Sequence, residues 1–149
     1  ALKPDVAFLV VQRADHYGNS HSWGSTGLTQ EASIAANCII VLADEIVEPE
    51  VIASDPSRVL IPGFGVNAVC HVPAACHPAP LIGRWQRDNA FFHDYHKETR
   101  ESDDFNRWCD EWIRDLPDHA AYRAKLGGQL EELRILNDVP SAPANYATE

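Results

Sequence analysis

The sequence predicts an α/β domain: an open, mostly parallel sheet with crossover helices, followed by a helical C-terminal region. Three observations carry this reading. Residues 6–11 and 38–43 are continuous apolar runs rich in β-branched side chains, each too short for a helix, and read as strands covered on both faces. Between them, residues 28–37 set Ala32, Ile34, Ala35 and Ala36 behind Thr29, a candidate N-cap, as a crossover helix would. Beyond Arg84 the apolar spacing becomes helical, with Phe105, Trp108, Trp112 and Leu116 recurring along one stripe.

Taken in order, the first strand opens into a polar turn that carries Gln12, Arg13, Asp15 and Gly18-Asn19. Ligands of open α/β sheets sit outside the carboxyl ends of the strands, so these groups occupy the kind of edge where such proteins do chemistry. Strand, helix and second strand make a β-α-β unit with parallel strands and a right-handed crossover. Residues 49–57 read as a short helix or turn closed by Asp55-Pro56, and residues 66–72 as another strand after the Pro62-Gly63 break. The sheet portion is expected to span residues 1–83. In the helical region of the same domain, residues 84–136, Ser102 is a candidate N-cap and the aromatic stripe reads as core packing. Pro117-Asp118 restarts a helix whose Tyr122 and Leu126 share a face, and Gly127-Gly128 ends it. A last short helix is expected over residues 129–136, and residues 137–149, with Pro140 and Pro143, read as a tail.

At 149 residues and 45% apolar content the chain is long enough to bury one core. Its formal charge of −10 and sequence pI near 5.0 lack the basic footprint that nucleic acid or anionic lipid would need. No apolar run approaches the roughly 18 residues of a membrane span, and a cytoplasmic location is expected. The four cysteines lie in apolar or amphipathic stretches, which predicts reduced, mostly buried thiols. The chain contains no methionine and begins with Ala1 directly before a strand, so it is expected to be part of a longer polypeptide.

A hydrophobic strand ending in Gln12-Arg13-Ala14-Asp15, with Gly18-Asn19 after it, resembles the alpha subunit of family I coenzyme A transferases, of the glutaconate CoA-transferase type. Further motifs follow in the same order. Val41-Leu42-Ala43-Asp44-Glu45-Ile46-Val47 resembles the family's next strand, and the segment from Ile61-Pro62-Gly63 to His77-Pro78 resembles the one after it. Residues 89–100 and 122–127 resemble the helical tail of these subunits. The resemblance thus covers residues 3–127 and corresponds to the C-terminal half of the family's alpha subunit. Departures fall at Val10, where members often have histidine, at Asn67, often aspartate, and at Ala75-Cys76, often Gly-Ala. Ser20-His21-Ser22-Trp23-Gly24 stands where the 3-oxoacid branch continues differently, favouring the glutaconate-like branch.

This resemblance implies transfer of CoA between an acyl-CoA and a carboxylic acid. A glutamyl anhydride intermediate lets the CoA thiolate leave and return. No glutamate here stands in the context of the attacking group, so no catalytic residue is assigned; that glutamate is expected on a beta subunit, with the family's glycine-rich loop in the missing N-terminal half. The expected assembly is a hetero-oligomer, with a CoA thioester as substrate and no tightly bound cofactor. The substrate-binding candidates are Gln12, Arg13, Asp15, Asn19 and Glu45, whose amide, guanidinium and carboxylate groups suit a substrate carboxylate or thioester oxygen. The residues themselves favour a structural alternative, in which Arg13 and Asp15 pair with each other or cap the Gly18-Asn19 turn and Asp44 or Glu48 caps the next helix. Cys70-His71 and Cys76-His77 have zinc-like composition, but adjacent strand residues point to opposite faces, and His93 and His96 read as a solvated helix face, so no metal is expected. Two other functions remain compatible: CoA-thioester or ring-opening hydrolysis on the same scaffold, and a non-catalytic partner fragment.

Overall fold

The computed structural model describes residues 3–135; the expected tail at 137–149, and the last residue of the final helix, lie outside the described residues. In chain order the elements are β1 (Val6–Ala14), β2 (Ser20–His21), α1 (Thr29–Ala35), β3 (Cys38–Ile46), α2 (Pro49–Ala53), β4 (Val59–Ile61), β5 (Ala68–His71), α3 (Asn89–Glu98), α4 (Ser102–Cys109), α5 (His119–Leu126) and α6 (Gly128–Glu132). The five strands form one sheet in the order β4-β2-β1-β3-β5. β1, β3 and β5 run parallel, while β2 and β4 extend the β1 side in antiparallel fashion.

The apolar runs become strands as expected, but both strands extend three residues further. Gln12, Arg13 and Ala14 belong to β1, and Asp44, Glu45 and Ile46 to β3, because the backbone ladder continues after the side chains turn polar. Only residues from Asp15 onward form the turn. Ala7, Leu9 and Val11 of β1 and Ile39, Val41 and Ala43 of β3 share one buried face, against which Ala32 and Ala36 of the crossover segment pack. Fully buried Leu, Ile and Val side chains there contribute about 1.5–3 kcal/mol each.

Thr29 and Ser102 are the first helical residues rather than caps. Leu28 and Glu101 precede them, and neither gives a side-chain capping bond. Asp118 does cap α5, accepting from the Ala121 N–H, and Gly127 ends that helix at φ 54°. The aromatic stripe packs on a core in part, and Phe105 departs from that expectation. Phe105 is 42% exposed, and Trp108 and Trp112 are half-buried, leaning on the second core of Ala74, Leu81, Trp85, Phe91, Leu126 and Leu130. Cys109, the last residue of α4, is buried, and a π-helical turn at Asp110–Arg114 follows it. The expectation of mostly buried thiols is also corrected: Cys109 is buried, Cys38 and Cys76 are intermediate, and Cys70, on the edge strand β5, is exposed.

Leu130 at 3% exposure sits deep in the second core, so Leu130→Ala is expected to cost about 2–5 kcal/mol in urea denaturation, whereas Phe105→Ala stays below about 1 kcal/mol. Equal losses for the two would show that the helical region is packed differently.

Candidate functional site at the carboxyl edge

The parallel register places Arg13 beside Glu45 at the carboxyl ends of β1 and β3, with His21 of β2 on the other side of Arg13. Gln12 is buried. Its Nε2 donates to the Trp23 carbonyl at 2.9 Å and to the Ile82 carbonyl at 3.2 Å, and its Oε1 accepts from the Trp23 N–H at 3.4 Å. That amide ties the strand to two loops through both of its donors and its oxygen. The Arg13 Nε donates to His21 Nδ1 at 3.1 Å, and its guanidinium lies 5.5 Å from the centroid of the Trp23 ring, which Arg58 also approaches at 5.4 Å. The His21 Nε2–H is then free to donate to the Ile52 carbonyl, 2.9 Å away. Burial pushes the His21 pKa below the ordinary 6.5, with the Arg13 charge acting in the same direction, against the Ile52 hydrogen bond. Among the described residues the terminal nitrogens of Arg13 make no hydrogen bond, so its fork remains available.

Asp15 is likewise buried. Its Oδ1 accepts from the Tyr17 and Asn19 N–H groups, both at 2.9 Å, and its Oδ2 accepts from Asn19 Nδ2 at 2.9 Å. Asn19 Oδ1 accepts from the Gly63 N–H at 2.9 Å. The turn is thus closed upon the 3₁₀ turn at Gly63–Gly65. Arg13 and Asp15 do not pair with each other; Asp15 braces the turn, and Arg13 packs against Trp23 and His21. Of the five candidates, Gln12, Asp15 and Asn19 use their polar atoms within the chain, while Arg13 and Glu45 reach the surface.

Glu45 forms an ion pair with Arg84 beside a polar depression lined by Asp44, Glu45, Arg84, Arg123, Glu131 and Arg134. Asp44 does not cap a helix: its Oδ1 accepts from the Ala74 N–H at 2.8 Å and from the Trp85 indole N–H. The Nε groups of Arg84 and Arg123 are buried and, among the described residues, without hydrogen-bond partners. The depression thus gathers the guanidinium groups of Arg84, Arg123 and Arg134 with the carboxylates of Asp44, Glu45 and Glu131. The sequence reading missed Arg84 and Trp85, although the Gly83-Arg84-Trp85 turn interrupts an apolar stretch; Arg123 carried no local signal, lying with Lys125 in the last turn of a helix. A second depression, on the Tyr17 side of the edge, includes His16, Ile46 and His71.

Away from this edge, Asp88 caps α3 through the Phe91 N–H at 2.8 Å and accepts from Gln129 Nε2 at 2.7 Å. His77 lies with Nε2 at 3.1 Å from Asp88 Oδ2 and Nδ1 at 2.6 Å from the Tyr122 hydroxyl. With the proton on Nε2, His77 donates to Asp88 and accepts from Tyr122, which satisfies all three groups. Burial lowers the His77 pKa against the raising effect of Asp88, and burial pushes Tyr122 up to about 12. Cys76 is pushed up to about 12 by burial and by Asp44, which leaves it an unreactive thiol. The two Cys-His pairs do not converge: Cys70 and His71 are exposed on β5, whereas His77 belongs to the buried cluster. Among the described residues no three metal-ligating side chains come together, and His93 and His96 are exposed.

The fold and its edge define an open α/β sheet whose free polar groups gather outside the carboxyl ends of parallel strands. Residues 1–71 match the family model for Coenzyme A transferase. The chain is 35% identical over 126 residues to the A subunit of 3-oxoadipate CoA-transferase from Pseudomonas knackmussii, covering 85% of this chain and 44% of that protein. To the A subunit of glutaconate CoA-transferase from Acidaminococcus fermentans it is 37% identical over 133 residues, covering 89% of this chain and 42% of the relative. A crystal structure of glutaconate coenzyme A-transferase from the same organism superimposes with a TM-score of 0.85 over 91% of this chain and 43% of its own, at 35% identity. The chain belongs to the coenzyme A transferase family, with its similarity to the A, or alpha, subunits. It spans less than half the length of the curated relatives it matches.

This geometry sets two expectations for stability. A Cβ at Gly63 would lie 2.3 Å from the Tyr17 carbonyl oxygen, a backbone atom, whereas one at Gly65 meets nothing within 4 Å. Gly63→Ala is therefore expected to destabilise by about 1–3 kcal/mol in thermal melts and Gly65→Ala by less than about 0.5 kcal/mol; the reverse order would rule out the closed turn. His21 and His77 both have folded pKa values below the ordinary 6.5, so the unfolded chain takes up protons there first. Their contribution is complete above 6.5 and is lost as pH falls toward the folded values. Urea midpoints should fall between about pH 7.5 and about pH 5.5, and fall less in His77→Gln.

Proposed function

We propose that this chain is the alpha-subunit portion of an enzyme that transfers CoA between an acyl-CoA and a carboxylic acid, the attacking glutamate being carried by another polypeptide. The single observation behind this reading is the similarity to A subunits, which runs through the sheet and into the helices at 35–37% identity. The edge geometry supports it. Gln12, Asp15 and Asn19 act as positioning residues that hold the strand end and the turn. Arg13 presents a planar fork, oriented by His21 and Trp23, suited to a substrate carboxylate or to the oxygen of a thioester as charge develops there. Glu45 keeps Arg84 at the neighbouring depression. The rest of the alpha subunit, together with a beta subunit, completes the site in a cytoplasmic hetero-oligomer, and the CoA thioester enters as substrate.

The chain purified alone is expected to show no CoA exchange between acyl-CoA and free acid, and activity is expected on adding the remaining alpha-subunit segment and a beta subunit. In that assembly Arg13→Lys keeps the charge and loses the fork, so kcat/KM should fall roughly 10-fold, or about 1.4 kcal/mol. Turnover by the isolated chain would sink the divided site. A lower melting temperature with kcat/KM unchanged would reduce Arg13 to a brace.

A further inference from the structure

One face of the sheet is bare over half its length. On β1, Val6 is 43% and Phe8 64% exposed, although β1 is the central strand of five. The parallel register sets Val6 beside Cys38, and Phe8 beside Ile40 and, through β3, Ala68. Cys70, two residues on from Ala68, points to the same face and is exposed. At the carboxyl end this face is covered, since Val10 packs into the second core. At the amino end no described element lies over Phe8. The row holds no charged side chain, whereas strands facing water alternate apolar with polar residues, and parallel strands read as apolar on both faces because helices cover both. The opposite face of the same strands follows that rule, with Ala7, Leu9, Ile39 and Val41 buried.

We propose that this bare half-face is the docking surface for the remainder of a family-length alpha chain, a segment that lays the apolar side of a helix across β1 and β3. The identity of that occupant rests on the alpha-subunit reading. More than half of each matched relative lies outside the match, while this chain reproduces the matched part at a TM-score of 0.85. A second copy of this chain is disfavoured as occupant, because two chains of formal charge −10 repel and because a helix, not a sheet, is the usual cover of parallel strands.

The test co-expresses the full chain with the part of the Acidaminococcus fermentans glutaconate CoA-transferase A chain that lies outside the match. The expected result is a one-to-one complex in which alkylation of Cys70 is slower than in the free chain. Phe8→Asp should weaken the complex about 30-fold or more, as loss of a central aromatic anchor does. Phe64→Asp, at an aromatic 96% exposed on another surface, should leave it unchanged. Circular dichroism checks that Phe8→Asp is folded, and Val6→Lys repeats the measurement if it is not. Absence of a complex, equal binding by Phe8→Asp and Val6→Lys, or a self-dimer dissolved by either would overturn the inference. A complex that forms but exchanges no CoA once a beta subunit is added would refute the transferase reading and leave the docking surface standing. Full exchange with Phe8→Asp and Val6→Lys would do the opposite.

Discussion

The parallel register between β1 and β3, from Val6 opposite Cys38 to Ala14 opposite Ile46, decides which side chains meet water and which meet one another. Successive strand residues point to opposite faces, so a slip of one residue would turn Leu9 and Val11 out of the core and bring Val10 and Gln12 into it. The same parity that buries Leu9 and Val11 beneath the crossover segment delivers Arg13 beside Glu45, and Gln12 onto the face where Ile82 and Trp85 wait. Core and candidate site are therefore products of one alignment rather than independent arrangements.

At the strand ends the polar residues divide their labour. Gln12, Asp15, Asn19 and Asp44 are spent on backbone groups and indole of neighbouring loops, which removes their freedom to reorient. Arg13 is steadied from two sides, by the His21 ring and by Trp23, without being consumed. An edge of this kind is preorganised: the order required of a group that meets a ligand is already imposed on folding. The neutrality of His21 matters here, since a protonated ring would repel Arg13 and lose the acceptor that orients it.

Much of the fold was legible because burial writes itself into composition. The runs at residues 6–11 and 38–43 could be satisfied only as covered strands, and Asp118 with Gly127 bracketed α5 correctly. Illegible were β2 and β4, since strands of two and three residues have no periodicity to read. Strand ends were misjudged because Gln12 and Arg13 looked like loop residues, although their backbones stay in the ladder. Of the aromatic stripe, Trp108 and Trp112 do lean on the second core, while Phe105, a turn earlier in α4, stays exposed where the packed surface ends. At the edge the relevant positions could be named, but their partners could not: that Gln12 meets Ile82, or Glu45 meets Arg84, depends on separations along the chain that no local pattern encodes.

The buried His77–Asp88 cluster has a consequence for how the molecule opens. It fastens α3, α5 and α6 to the loop after β5, and the second core beneath it is distinct from the core under the crossover helix. The two are stitched across a thin seam, where Val10, the Gln12 amide and the Asp44–Trp85 bond cross. Such an arrangement favours hierarchical unfolding by cooperative units, with the helices detaching as one foldon while the β1–β3 ladder persists. Amide exchange would then leave the central strands as the last survivors.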